Sequence, residues 1–157
     1  MGQETSKVLV ELLGKPLIFY ILERLKRDLS EVEPIIVVGY KHATVIDALG
    51  KDYRYALQSE QLGTAHAVWS AEPHLNLENT IVLYGDMPFI RTKSLKRLIR
   101  HHNKVNAHVS IFTTKVPHFS GMNETFSGFG RIIRDNFGNI IKITEYKGKV
   151  YTYELRI

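Results

Sequence analysis

The sequence contains no cysteine among its 157 residues, so disulfide bonds and thiolate chemistry are excluded. No apolar run approaches the roughly 20 residues that a membrane-spanning helix requires. The first residues also lack a basic region followed by an apolar stretch, which is the pattern of a signal peptide. These absences predict a cytoplasmic protein with no membrane partner. The length predicts a single domain over residues 1–157.

A basic excess is present without a basic cluster. Lys and Arg number 21 against 16 Asp and Glu, which gives a net charge of +5. This balance suits polyanionic ligands, including nucleotides and pyrophosphate. Because the basic residues are dispersed and form no compact block with interleaved aromatics, we expect no nucleic-acid partner. A basic module that binds nucleic acid is the opposing hypothesis. It predicts that binding weakens steeply as the salt concentration rises and that Asp86→Asn does not change it.

Helical and strand patterns alternate over the first two thirds of the chain. Apolar residues at three- and four-residue spacing after Pro16 predict a helix, and the β-branched run at residues 35–38 predicts a strand covered on both faces. Further strands are predicted at residues 53–58, 80–84 and 108–114, and further helices at residues 44–49, 65–71 and 92–103. The alternation predicts an α/β fold, a Rossmann-like, mainly parallel sheet with helices on both faces.

The pattern changes in the last third of the chain. Residues 117–127 have no clear periodicity and are predicted to form a loop that is mobile or covers a ligand. Residues 130–134 and 140–145 are β-branched or alternating runs on either side of a glycine-containing turn. They predict a C-terminal β-hairpin.

The stretch L-Q-S-E-Q-L-G-T-A-H-A at residues 57–67 carries the first candidate site residues. The amides of Gln58 and Gln61 can pair with the edge of a base, and backbone N–H groups at Gly63 and Thr64 can hold an anion where a helix begins. The alternative is that the two amides are ordinary polar side chains of a loop and that Thr64 is a simple N-cap.

The stretch V-L-Y-G-D-M-P at residues 82–88 carries the second set. An apolar run ends at Tyr84 and Gly85, and Asp86 follows immediately, where ligands bind in open α/β sheets. Gly85 lets the backbone approach a ligand closely. Asp86 offers the hard oxygen that Mg²⁺ takes, usually from one or two carboxylates together with phosphates and water. A turn or N-cap role for Asp86 is the alternative.

These stretches, followed by G-F-G-R-I and I-T-E-Y-K, resemble the sugar-1-phosphate nucleotidyltransferases, most closely the pyrophosphorylase domains of bifunctional N-acetylglucosamine-1-phosphate uridyltransferases. Four motifs in the same order are far more specific than one. The resemblance implies Mg²⁺-dependent transfer from UTP to N-acetylglucosamine 1-phosphate with release of pyrophosphate, a step towards cell-wall precursors. Thymidylyl- and cytidylyltransferases share the architecture, so the base and the sugar stay open.

The resemblance also implies roles for individual residues. The family's metal-binding aspartate corresponds to Asp86, and its phosphate-reaching lysine to Lys7. Gln58 and Gly63 would contact the uracil. Gly130 and Glu145 match family positions that hold the sugar through backbone and carboxylate hydrogen bonds. Without the resemblance, we would interpret Gly130 as a glycine at the start of a strand and Glu145 as a solvated charge on the hairpin.

Two expected segments of the family are not found in the sequence. A first strand with a glycine-rich loop, approximately L-A-A-G-x-G-T-R-M, does not precede Lys7, and Ser6 stands where proline is usual. The family's N-T-G segment and its later metal-binding asparagine are not found in the sequence up to Ile157. We therefore expect a chain truncated at both ends, which associates as a homo-oligomer or needs a complementary segment. An inactive remnant that binds nucleotide or sugar phosphate is the alternative function.

Overall fold

Helices and strands alternate through the first part of the chain, as the sequence predicts. The computed structural model describes residues 6–75 and 78–144, and the chain divides into two units, Met1–Ser110 and Ile111–Ile157. The expectation of one domain stays a prediction. In chain order the elements are β1 (Glu11–Leu12), β2 (Lys15–Pro16), α1 (Leu17–Asp28), β3 (Ile35–Val38), α2 (His42–Leu49), β4 (Arg54–Leu57), α3 (Thr64–Ala71), α4 (Thr92–Val105), β5 (Arg131–Arg134) and β6 (Ile140–Thr144).

Strands β3 and β4 form the parallel pair that the alternating pattern predicts. Ile35 lies opposite Arg54 and Val38 opposite Leu57. The intervening helix α2 is the crossover that a parallel connection requires. The predicted helices are all present, and α1 begins directly after Pro16, whose ring fixes φ but leaves no N–H to satisfy.

The strands predicted at residues 80–84 and 108–114 are wrong. Among the described residues neither segment has a hydrogen-bonded strand partner, and Ile81 and Val82 remain 42% and 48% exposed. An apolar run becomes a strand only when a neighbouring strand satisfies its N–H and C=O groups. β3 and β4 pair only with each other in the part of the chain described. Apolar periodicity identified the segments, but it could not supply their partners.

Helix α1 joins two hydrophobic clusters in the first unit. Its predicted apolar stripe is confirmed, since every residue of the stripe is buried: Ile18, Ile21, Leu22, Leu25 and Leu29. One face packs with β3, α2 and Leu9, and the other packs with Leu95 of α4, which is only 2% exposed. Burial of a leucine of this kind contributes about 1.5–3 kcal/mol. α1 is therefore the element that fixes both β3 and α4.

The second unit contains the predicted hairpin. β5 and β6 are antiparallel, with Arg131 opposite Thr144. The Asp135 carboxylate accepts hydrogen bonds from the backbone of Phe137 and Asn139 at 2.9 and 2.8 Å, which closes the turn. The segment predicted as a loop without regular structure contains a 3₁₀ helix, Gly121–Gly128. The guanidinium of Arg131 donates to the Ser127 carbonyl at 3.0 Å and so ties that helix to β5.

None of the helices within residues 6–75 and 78–144 combines the length and the apolar character needed to cross a membrane.

A hydrogen-bonded carboxylate connects the end of α1 with the start of α4. Thr92 donates its Oγ1 hydrogen to Asp28 Oδ2 at 2.6 Å, and Arg27 Nε donates to Asp28 Oδ1 at 2.8 Å. The hydrogen bond from Arg27, and then that from Thr92, lowers the pKa of Asp28 below its ordinary value of 3.8. The ionised form is therefore favoured in the folded state.

We expect Asp28→Asn to lower the midpoint of urea unfolding at pH 7 and to have a smaller effect near pH 3. A lowered folded-state pKa stabilises the fold above the ordinary pKa, and this stabilisation is lost as the pH falls through the folded-state value. Paired urea titrations of the two proteins at several pH values measure the difference. Asp47→Asn, an exposed carboxylate on α2, is the control. A difference that does not change between pH 7 and pH 3 would contradict this assignment.

Candidate functional site

The first group of candidate residues lies at the carboxyl ends of β3 and β4. Gln58 N donates to the Val38 carbonyl at 2.8 Å, so the parallel ladder extends one residue beyond β4. Gly39 directly follows β3, and a Cβ built on it would lie 3.5 Å from Gln61 Nε2 and 3.8 Å from Gln58 Oε1. The two predicted amides therefore converge beside Gly39, at the edge of the sheet where α/β folds bind ligands.

The Gln58 side chain is held by the turn that leads into α3. Its Nε2 donates to the Gly63 carbonyl at 3.1 Å and lies 3.2 Å from His66 Nδ1. Gly63 has φ +101°, a conformation that residues with a Cβ rarely adopt. The predicted Gly63-Thr64 helix start is confirmed, because α3 begins at Thr64. Its N-cap residue, Gly63, has no side chain that could accept from the first amide groups of the helix.

A side-chain contact joins the two candidate stretches. Thr64 Oγ1 and Tyr84 Oη lie 3.3 Å apart, within hydrogen-bonding distance. Tyr84 is half-exposed, and Asp86 two residues further on is exposed. The residues predicted from separate motifs are therefore brought together in the first unit. The predicted strand before Asp86 is not what positions it.

Gly85 is positioned by close packing. A Cβ on this residue would lie 3.0 Å from Val8 Cγ1 and 3.7 Å from Ile18 Cδ1, so only glycine fits without displacement of a neighbour. Its backbone consequently lies against the segment that carries Lys7. Lys7 is exposed at the start of a short 3₁₀ helix, Lys7–Leu9. The packing places the backbone segments of the two predicted catalytic residues, Lys7 and Asp86, beside each other.

Arg24 of α1 holds the loop that follows Asp86. Its Nη1 donates to the Pro88 carbonyl at 3.2 Å and also to the Ile90 carbonyl. The sequence analysis missed this residue, together with Gly39 and His66. A polar residue on an amphipathic helix gives no signal of a partner more than 60 residues away, whereas a glycine directly after a β-branched strand could have identified Gly39.

The two remaining candidate residues lie outside the described part of the first unit, and their roles stay predictions. Gly130 lies in the second unit, immediately before β5, and Glu145 lies outside the described residues. The described part of the chain holds no group of three or more His, Asp or Glu side chains arranged to bind a metal ion. Asp86 therefore offers a single carboxylate. Such a site fits only a cation that draws most of its ligands from phosphate and water, as Mg²⁺ does.

Comparisons with known proteins identify the family of the chain. The sequence model of the MobA-like NTP transferase domain matches residues 1–125. Curated relatives named "Bifunctional protein GlmU" include those of Exiguobacterium sibiricum, 37% identical over 149 residues, and Thermoanaerobacter pseudethanolicus, 39% identical over 148 residues. Both alignments cover 94% of this chain but 31% of the relative, so the chain spans about a third of their length.

The family match agrees with the fold. A parallel strand pair with helices, carrying its polar candidates at the strand ends, is compatible with the α/β fold of nucleotide-diphospho-sugar transferases. The resemblance inferred from the four motifs is confirmed by the matches. The chain belongs to the family of MobA-like NTP transferase domains, and thus to the nucleotidyltransferases.

Proposed function

We propose that the chain transfers a nucleotidyl group from UTP to N-acetylglucosamine 1-phosphate and releases pyrophosphate. The observation that carries this proposal is the contact between Thr64 and Tyr84, which joins the amide-rich loop before α3 to the Asp86 loop. A base bound at the first loop would have its phosphates within reach of the second. The relatives named "Bifunctional protein GlmU" support sugar-phosphate nucleotidyl transfer in general, and the choice of base and sugar rests on the resemblance of the four motifs.

The reaction needs no covalent intermediate on the protein. An oxygen of the sugar 1-phosphate attacks the α-phosphorus, and the bond from that phosphorus to the bridging oxygen breaks. Pyrophosphate leaves with the electron pair. The protein has to align two anions and to neutralise charge that grows in the transition state. Lys7 and the net charge of +5 serve the second requirement.

Asp86 would hold Mg²⁺ together with phosphate oxygens and water. When bound, the cation neutralises phosphate charge and orients the groups that react. The exposed carboxylate of Asp86 lies in a turn closed by a hydrogen bond from Met87 N to the Tyr84 carbonyl at 3.1 Å. The backbone rather than the carboxylate maintains this turn, and no described residue has a hydrogen bond to the carboxylate, so its oxygens can serve as ligands.

The substrate contacts are part of the same proposal. Gln58, Gln61 and the start of α3 would bind the base, and Gly85 would let the backbone approach the phosphates. Gly130 and Glu145 are proposed to bind the sugar. A cytoplasmic location, where nucleoside triphosphates are available, belongs to the same proposal.

Pyrophosphate release tests this function. The purified chain is incubated with Mg²⁺, N-acetylglucosamine 1-phosphate and either UTP, CTP, dTTP, ATP or GTP. Release with UTP that exceeds release with the other nucleotides is the expected result. UTP binding without release would favour the inactive binding remnant, and a preference for CTP or dTTP would overturn the proposed base. Binding of nucleic acid that does not depend on Asp86 and weakens steeply as the salt concentration rises would favour the nucleic-acid module.

Arg24→Met is expected to lower the rate of pyrophosphate release about tenfold, because loss of the hydrogen bonds to Pro88 and Ile90 frees the loop that carries Asp86. Methionine preserves the length of the side chain on α1 but cannot donate. Lys26→Met, an exposed cation on the same helix, is the matched control and should leave the rate unchanged. Equal rates for the two folded variants would show that Arg24 does not position the Asp86 loop for the reaction.

A further inference from the structure

Helix α4 carries a stripe of positive charge on its exposed face. It contains five Lys and Arg residues and no Asp or Glu, whereas acidic residues outnumber basic ones over residues 6–90. Because a helix has 3.6 residues per turn, the five cations fall within a sector about 100° wide and about 16 Å long. All of them are exposed, and together they form the α4 stripe: Lys93, Lys96, Arg97, Arg100 and Lys104.

The charge of the α4 stripe is not neutralised within residues 6–75 and 78–144. None of its five members forms an ion pair there, and Arg100 Nε donates only to the Lys96 carbonyl, at 3.3 Å. Lys96 lies in the field of Asp28, but the oxygens of that carboxylate are already hydrogen-bonded to Arg27 and Thr92. The stripe is therefore open to an anionic partner.

The same arrangement opposes the stability of α4 in isolation. Residues three or four positions apart are neighbours on a helix, so each member of the stripe lies next to at least one other cation. Such like-charge pairs destabilise a helix, and so does a cation in the first turn, such as Lys93, where the helix dipole is positive. No acidic residue in α4 offsets either effect. An anionic surface placed against the stripe would relieve the repulsion.

The shape and composition of the stripe fit a flat anionic surface. Leu95 packs the opposite face of α4 into the core, so the helix lies along the protein and all five cations can approach one plane together. The stripe has no aromatic side chain on which a base would stack and no amide that would read a base edge. Clusters of several Lys and Arg on an amphipathic helix are typical of binding to anionic phospholipid head groups.

We propose that the α4 stripe holds the protein against an anionic phospholipid surface through contacts with the lipid phosphates. The expectation of no membrane partner was drawn from the lack of a long apolar run, and electrostatic binding at a surface requires none. The cytoplasmic leaflet is the anionic one, which agrees with the location proposed above. The inference goes beyond nucleotidyl transfer and does not depend on it, since no candidate site residue belongs to the stripe.

Two double variants with the same change in net charge test the position of the charge. Lys93→Gln with Arg100→Gln removes two cations from the stripe, and glutamine keeps a high helix propensity. Lys26→Gln with Lys51→Gln, the control, removes two exposed cations from elsewhere in the first unit. Each protein is sedimented with vesicles of phosphatidylcholine mixed with phosphatidylserine, and with vesicles of phosphatidylcholine alone. Circular dichroism verifies that both variants are folded.

We expect the stripe variant to lower the partition coefficient onto the anionic vesicles about 25-fold, because each Lys or Arg near such a surface contributes about fivefold. The control should lose much less, because charges more than about 10 Å from the lipid are screened. The neutral vesicles should bind none of the proteins.

Three results would overturn the proposal. They are equal losses in the two folded variants, a wild-type chain that does not bind the anionic vesicles, and equal binding to anionic and neutral vesicles. A DNA duplex that binds the wild-type chain more tightly than the anionic vesicles at the same salt concentration would also overturn it, and would assign the stripe to nucleic acid.

Discussion

Asp86→Asn is expected to lower pyrophosphate release at saturating substrates by at least about 100-fold, the loss typical of removing a group that stabilises charge in the transition state. The amide has nearly the size of the carboxylate but carries no charge with which to hold a cation. The residue is exposed, and its turn is closed by backbone atoms, so the free energy of unfolding should not change. The rate is measured over a range of Mg²⁺ concentrations.

The Mg²⁺ dependence distinguishes a ligand from a structural residue. If Asp86 binds the cation, part of the lost rate should return at high Mg²⁺ concentration. Asp47→Asn, which removes an exposed carboxylate from α2, should leave both the rate and its Mg²⁺ dependence unchanged. A rate for Asp86→Asn within about twofold of wild type would exclude Asp86 from the catalytic site.

Gly85→Val is expected to destabilise the fold by about 1–3 kcal/mol, the usual cost of added atoms in a packed site, and to abolish most activity. A methyl group is already tight at this position, since a Cβ would lie 3.0 Å from Val8 Cγ1. The added branches must displace either Val8 or the backbone that carries Asp86. Urea unfolding gives the change in stability, and the pyrophosphate assay gives the change in rate.

A control and a suppressor test the cause of this effect. Gly128→Val is the matched control, because no atom lies within 4 Å of a Cβ built there and its φ is not positive. The smaller substitution Gly85→Ala should be partly rescued by Val8→Ala, which removes the contacting Cγ1. Additive losses in the double variant would show that the Val8 contact is not responsible.

The local features of the fold could be predicted from the sequence, and pairings between distant segments could not. The stripe of α1 and the β-branched run of β3 are visible because their periodicity reflects burial within one element. Residues 80–84 have the same apolar character as a strand, but they have no strand partner among the described residues. Whether an apolar run is paired depends on a second segment, which its own periodicity does not report.

The candidate site shows the same limit. Gln58, Gly63 and Thr64 are close in sequence, so their motif was recognisable, and the structure brings them together. Arg24 acts through contacts with residues more than 60 positions away, and nothing in its own neighbourhood of the sequence indicates those contacts. The packing of Gly85 against Val8 gives that glycine a structural role that the sequence did not indicate, and its close approach to a ligand stays a prediction.

Formation of the nucleotide sugar tests the central claim most directly. The chain is incubated with UTP, N-acetylglucosamine 1-phosphate and Mg²⁺, and the products are identified by mass spectrometry, with Asp86→Asn in parallel. We predict that the wild-type chain forms UDP-N-acetylglucosamine in amounts equal to the pyrophosphate released, and that the variant forms almost none. A folded wild-type chain that forms no nucleotide sugar from any nucleoside triphosphate and sugar 1-phosphate tested would contradict the account.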